Sequence, residues 1–188
     1  MTEWQNEEAT DKNFEIRTQQ YPSGKIKQRV YYLDGKRNGT CETFYETGQV
    51  KELLHYRIGI QDGVCQWFYE HGQLKREVPY RKGRIDGITK SWYESGKLKE
   101  IWPFKKDKLN GVSKIFYENG FLKEEVHFKK DVRDGISISY DENGRTRKEG
   151  FYFNDLPHGS FREFDENGKI ILQDYFEYGI AKKGAKSS

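Results

Sequence analysis

Across residues 110–133, NGVSKIFYENGFLKEEVHFKKDVR, apolar and polar positions alternate in two short runs that flank Glu118-Asn119-Gly120. Alternation at period two marks half-buried strands, and a glycine-containing loop between two such runs marks a hairpin. The same pattern returns along the chain. Glycine stands at Gly24, Gly48, Gly72, Gly96, Gly120, Gly144 and Gly168, every 24 residues. A second series, Gly39, Gly63, Gly87, Gly111, Gly135 and Gly159, keeps that period at an offset of 15. A fixed period of this size is the mark of a repeat array.

The pattern also selects a register. A two-residue Asn-Gly loop would set Phe116 opposite Lys123. A three-residue Glu-Asn-Gly loop sets Phe116 opposite Leu122 and Val112 opposite Val126, which groups apolar residues on one face. That loop needs a left-handed third residue, which Gly120 supplies. The other tip, residues 129–135 with equivalents 57–63 and 81–87, reads as a turn closed by Asp/Asn-Gly.

Extended to every repeat, this register predicts one aromatic face. It carries Phe44, Phe68, Trp92, Phe116, Tyr140 and Phe164, beside Ile26, Val50, Leu74, Leu98, Leu122 and Ile170. Tyr32, Tyr56, Tyr80, Phe104, Phe128, Tyr152 and Phe176 are expected to join it from the far ends of the second strands. Lys90 with Glu100 and Lys114 with Glu124 are expected there as cross-strand ion pairs. The opposite face is predicted to hold Tyr45, Tyr69, Tyr93 and Tyr117 beside a basic ladder, Lys27, Lys51, Lys75, Lys99, Lys123 and Arg147.

Composition fits a thin array. Only 34% of the 188 residues are hydrophobic and 34% are charged, yet 15% are aromatic. Disordered chains lack rings at that level, and large rings cover more area per residue than aliphatic side chains do. The formal net charge of +3 is too small for strong phosphate-driven binding, so no nucleic-acid partner is expected. No apolar run approaches the ~18 residues of a membrane helix. The start, MTEWQNEEATDKNFEIR, is polar and acidic, unlike a signal peptide, and a cytoplasmic location is expected.

Chemistry-bearing residues do not converge. Cys41 and Cys65 hold equivalent positions two strands apart, roughly 9–10 Å, too far for a disulfide, so two free thiols are expected and no metal site. Of His55, His71, His127 and His158, only the first and third share a repeat position, ~29 Å apart along the sheet. Glu46, Glu70, Glu94, Glu118, Glu142 and Glu166 fall at exposed tips, ~10 Å from one another. Neither set forms a catalytic constellation. No enzyme activity, cofactor or metal is expected.

The repeating unit resembles the MORN repeat in its second, bacterial-type variant. Its copies are NGTCETFYETGQVKE, DGVCQWFYEHGQLKR, DGITKSWYESGKLKE, NGVSKIFYENGFLKE, DGISISYDENGRTRK and HGSFREFDENGKIIL, after a partial copy, YPSGKIKQ. The resemblance implies an all-β fold: an elongated, twisted, single-layer antiparallel sheet of successive 24-residue hairpins. The expected organisation is a polar N-terminal segment at 1–13, an array at 14–180 and a disordered tail at 181–188. Within the array a partial repeat at 14–37 precedes full repeats starting at 38, 62, 86, 110, 134 and 158. The last two copies depart from the unit, with Asp141 and Asp165 in place of tyrosine, and read as a polar cap.

Such arrays are similar to YwqK-type antitoxins, which implies a non-catalytic antitoxin or immunity protein that binds and neutralises a cognate toxin. The candidate binding residues are Tyr45, Trp67, Tyr69, Tyr93, Tyr117, Lys51, Lys75, Lys99 and Lys123, since tyrosine is favoured at interfaces. A mildly basic chain argues against a basic nuclease as the partner. No obligate oligomer is expected. The alternative is a MORN-type scaffold on membrane phospholipid or a cellular assembly.

Overall fold

A computed structural model describes residues 13–182. Every element is a strand, and consecutive strands pair antiparallel into one open sheet. β1 (Phe14–Gln20) and β2 (Ile26–Leu33) make the first hairpin; β3 (Lys36–Phe44) and β4 (Val50–Arg57) make the second. The next line is split into β5 (Ile60–Gln61) and β6 (Gly63–Phe68), both on β4. β7 (Leu74–Arg81) is followed by a second split line, β8 (Arg84–Ile85) and β9 (Gly87–Trp92). β10 (Leu98–Lys105), β11 (Lys108–Phe116), β12 (Leu122–Lys129), β13 (Val132–Tyr140), β14 (Thr146–Phe153), β15 (Leu156–Phe164), β16 (Ile170–Glu177) and β17 (Ile180–Lys182) complete the meander. Of the expected tail, Ala181 and Lys182 are strand; the rest of it, and residues 1–12, lie outside the described residues.

The three-residue loop forms as the pattern demands. In the hairpin of β11 and β12, Tyr117 N–H donates to Phe121 O at 2.9 Å and Gly120 N–H to Tyr117 O at 2.9 Å. Gly120 has φ +97, and Phe116 stands opposite Leu122. Beyond that pair the expected register fails. Ile115 pairs with Glu124, so Lys123 is a bulge residue, and Val112 meets His127 while Val126 meets Ser113. The bulge recurs in the other full repeats, between Phe44 and Thr43 in the second hairpin for example.

This extra residue reverses the faces. Val50 and Glu52 are two apart, yet they pair with Phe44 and Thr43, which point to opposite sides of their strand. The ring column of Tyr56, Tyr80, Phe104, Phe128, Tyr152 and Phe176 therefore lies opposite the Phe44 column, not beside it. The expected ion pairs shift by one residue for the same reason: Lys114 bonds Glu125 at 3.1 Å, and Lys90 stands opposite Glu77 and Ile101.

One face, called here the ladder face, holds the core. A column runs across the sheet from β2 to β13: Val30, Cys41, Leu54, Cys65, Val78, Thr89, Trp102, Ser113, Val126 and Ser137. Large side chains on second strands alternate with small ones on first strands. Val30, Cys41, Cys65, Val78, Thr89 and Ser113 are 0–4% exposed. Cys41 and Cys65 are free, and burial pushes both thiols up. The other face carries the Phe44 column and ion pairs such as Arg29 with Glu42 (3.1 Å) and Arg162 with Glu149 (3.0 Å).

The second tip also differs from expectation. Its turn is two residues, Lys130-Asp131 in the hairpin of β12 and β13, with φ 53 and 76. Positive φ at both positions is the type I′ turn that matches strand twist. Gly135 and Gly63 are not turn residues. They lie within strands at a bulge, with φ 128 and 125, where a Cβ would come within 2.8 Å of His127 Cβ and 2.9 Å of His55 Cβ.

Candidate partner-binding face

Each tyrosine of the Tyr45 column ties two repeats together. Tyr45 Oη donates to Phe68 O at 2.8 Å, Tyr69 to Trp92 O at 2.8 Å, Tyr93 to Phe116 O at 2.7 Å and Tyr117 to Tyr140 O at 2.8 Å. Tyr21 makes the same bond to Phe44 O at 2.7 Å, a rung the sequence reading left within the partial copy. Burial, helped by the carboxylates of Glu94 and Glu118, raises the Tyr69 hydroxyl above its ordinary pKa. Burial with Glu118 and Glu100 does the same for Tyr93. Both groups therefore remain protonated donors.

The bulge lysine covers each ring. Lys51 Nζ is 5.6 Å from the Tyr45 centroid, Lys75 5.2 Å from Tyr69, Lys99 5.6 Å from Tyr93 and Lys123 5.4 Å from Tyr117. Such cation–π contacts are worth ~0.5–1 kcal/mol at exposed sites. The tyrosines are thus structural rungs, and what the face presents outward is the row of ammonium groups.

Four of the nine candidate residues, Tyr45, Lys51, Trp67 and Lys75, line one cavity of about 290 Å³, completed by Glu52, Phe68 and Arg76. Trp67 pairs with Arg76 across β6 and β7, and the guanidinium sits 6.0 Å from the ring centroid. Tyr69 adjoins through Lys75; Tyr93, Lys99, Tyr117 and Lys123 repeat the Tyr–Lys unit further along. Glu52 and Arg76 were missed because only the bulge turns them toward Trp67.

The ladder changes after β13. Asp141 and Asp165 take the tyrosine position and fold back on their own loops: Asp141 Oδ1 accepts from Arg145 N–H and Asn143 N–H, both at 2.9 Å. The link to the next repeat passes to Arg145, whose guanidinium donates to Glu166 O at 2.8 Å. In the same region the core column inverts. Gly150 replaces the large residue and Phe161 the small one, with the Phe161 ring lying where a Gly150 Cβ would be. Phe161 meets Tyr152 and Phe176 edge-on, at 5.3 and 5.2 Å between centroids.

Among the described residues no group of His, Cys, Asp and Glu could hold a metal ion, and no helix is long and apolar enough to cross a membrane. The MORN repeat variant pattern matches residues 37–57, 61–82, 85–106, 109–130, 133–154 and 157–178, together more than half of the chain. The chain belongs to the MORN repeat variant family. MORN repeats are in general non-catalytic modules that bind proteins or membranes. No curated protein matches the chain.

Proposed function

We propose that this MORN array is a non-catalytic docking platform for a partner protein, and that the partner is a toxin it neutralises. The observation that carries the docking reading is Trp67. Its column on the ladder face otherwise holds Thr43, Ser91, Ile115, Ser139 and Glu163, so one large ring stands alone at the cavity mouth beside Lys51 and Lys75. A half-buried tryptophan beside an exposed arginine, with cationic neighbours, has the residue types enriched at the energetic centres of protein interfaces. The toxin assignment rests on the resemblance of the repeats to YwqK-type antitoxins.

Affinity capture from the native host with the full chain tests both parts. Trp67→Ala should lose the partner by about tenfold or more while the thermal midpoint stays near wild type. Expression of the captured partner alone should arrest growth, and coexpression with this chain should restore it. Capture unaffected by Trp67→Ala removes the site, and a partner harmless to cells removes the toxin.

A second reading has its own observation. The type I′ tips gather Arg81, Lys82, Arg84, Lys105, Lys106, Lys108, Lys129 and Lys130 along one long edge of the sheet. Polybasic attraction to anionic lipid is ~1 kcal/mol per residue near the surface. Some of this charge is already answered, by Lys129 with Asp134 at 3.8 Å and Lys108 with Asp131 at 4.0 Å. Sedimentation with phosphatidylserine vesicles at low salt would reveal this edge as a membrane contact.

A further inference from the structure

Two departures from the repeating unit meet at one place on the ladder face. The residue that follows the bulge lysine is an acid in the first, third and fourth full repeats, Glu52, Glu100 and Glu124, and an arginine, Arg76, in the second. The strand beside it departs too, with Trp67 at the position of Thr43, Ser91 and Ile115. Trp67 and Arg76 stand directly opposite each other across β6 and β7. The other copies form the same hairpin with neither residue, so the fold does not call for them.

The positive charge at this corner is not answered within the described residues. Lys51, Lys75 and Arg76 line the cavity at Trp67, and none of the three takes part in an ion pair there. Lys148, the next cation at the Arg76 position, is by contrast bonded at 2.7 Å to Glu163, which stands opposite it. Arg76 has Trp67 and Ser91 opposite it instead. The one carboxylate of the cavity, Glu52, stands on the far side of Trp67, on β4. Two strand spacings, ~9.6 Å, separate it from Arg76, with the indole between them. Lys51 and Glu52 together are neutral, whereas Lys75 and Arg76 together carry two positive charges.

We propose that this corner binds an extended, acidic segment of the partner protein: an aromatic side chain lies on Trp67, and a carboxylate two residues further on bridges Lys75 and Arg76. Residues two apart in an extended segment share a face, ~7 Å from each other, which spans one strand spacing plus the reach of either cation. The Arg76 guanidinium offers two parallel N–H groups to a carboxylate and the Lys75 ammonium a further contact. Rings beside cations also suit single-stranded nucleic acid. Its unbroken row of phosphates, however, would meet Glu52 and the exposed Glu46 and Glu70 that follow Tyr45 and Tyr69, whereas a single carboxylate avoids them. The inference rests on the docking reading and names the chemistry of its partner.

The test titrates the isotope-labelled full chain, followed by NMR, with three seven-residue peptides of glycine and serine. Each carries phenylalanine and, two residues on, glutamate, glutamine or lysine. The indole N–H signal of Trp67, assigned by its loss in Trp67→Phe, reports occupancy. The glutamate peptide should bind about tenfold tighter than the glutamine peptide, and the lysine peptide more weakly than both. Arg76→Glu, which places there the residue that three other repeats carry, should reverse the order of the glutamate and lysine peptides. The comparison of glutamate with glutamine on the parent chain holds whatever the stability of that variant. The proposal is overturned if the indole signal moves with none of the peptides, if glutamate and glutamine bind alike, or if Arg76→Glu leaves the order intact. It is also overturned if a thymidine oligonucleotide of the same length binds at the indole more tightly than the glutamate peptide, which assigns the corner to nucleic acid. If the charge preference is absent while capture still depends on Trp67, this inference falls and the docking function stands. If the preference holds while capture ignores Trp67, the docking function falls and the peptide site stands.

Discussion

At the residue scale, Tyr93 shows how little of a side chain's role its exposure reveals. Its ring and Lys99 look like an interface pair in the sequence, and the lysine does cover the ring. The hydroxyl, however, is used internally, donating to Phe116 O in the next repeat. Tyr93→Phe should therefore cost stability, about 1 kcal/mol for one lost hydrogen bond and an orphaned carbonyl, and leave partner binding unchanged. Urea unfolding beside a binding titration separates the two, and a loss of affinity without a loss of stability would return the hydroxyl to the interface. Among the described residues Trp67 makes no such bond to a carbonyl, and it is the ring we propose to meet a partner.

Asp141 carries a charge-dependent form of the same economy. Backbone N–H groups of Arg145 and then Asn143 hold its carboxyl below the ordinary aspartate value. A lowered folded pKa means stabilisation that is present above about pH 4 and is lost as the pH falls through the folded value. Asp141→Asn keeps the acceptor oxygen and removes the titration. The unfolding midpoint of the variant should fall less than that of the parent between pH 7 and pH 3, and parallel declines would contradict this.

At the element scale, the hairpin is where the sequence was most and least legible. The Glu-Asn-Gly loop was readable because Gly120 occupies a position that only a left-handed residue fits. The type I′ tips were not, because they are built from Ile58-Gly59, Lys106-Asp107 and Lys130-Asp131, and not from paired glycines. Asp107 explains one way this is tolerated: its N–H donates to Ile85 O at 2.8 Å and its Oδ1 accepts from Ile85 N–H at 2.7 Å. The conspicuous Asp-Gly pairs mark an in-strand bulge instead. Ile58 is β-branched with φ 49, a conformation such residues rarely adopt. Ile58→Asn should stabilise the fold by roughly 0.5–1 kcal/mol in urea denaturation, and a destabilised variant would show that the Ile58 side chain is needed there.

At the scale of the whole molecule, period and glycine placement made the all-β hairpin array legible from the chain alone. The two faces were not, because a lysine at a bulge looks like any lysine in an alternating strand. Lys51, Lys75, Lys99 and Lys123 could each occupy a normal register position, and only the pairing of Glu52 with Thr43 and Trp67 shows that a residue has been inserted. That single insertion moves a column of rings, relocates the core to the ladder face and brings Arg76 to Trp67. The inversion at Gly150 and Phe161 was equally hidden, since each substitution makes sense only against the other.

The inserted lysine sets which residues share the ladder face, where we propose that the partner docks, and which lie on the opposite face. Lys75 and Glu77 sit two apart on β7, so simple alternation would put them on one side. In the structure Lys75 covers Tyr69, whereas Glu77 accepts from Gln66 Nε2 at 3.2 Å on the other face. A photocrosslinking amino acid placed at each position in turn, in the full chain with its captured partner, tests both register and function. Covalent capture is expected from position 75 and none from position 77. Equal capture from both, or capture from position 77 alone, would contradict it.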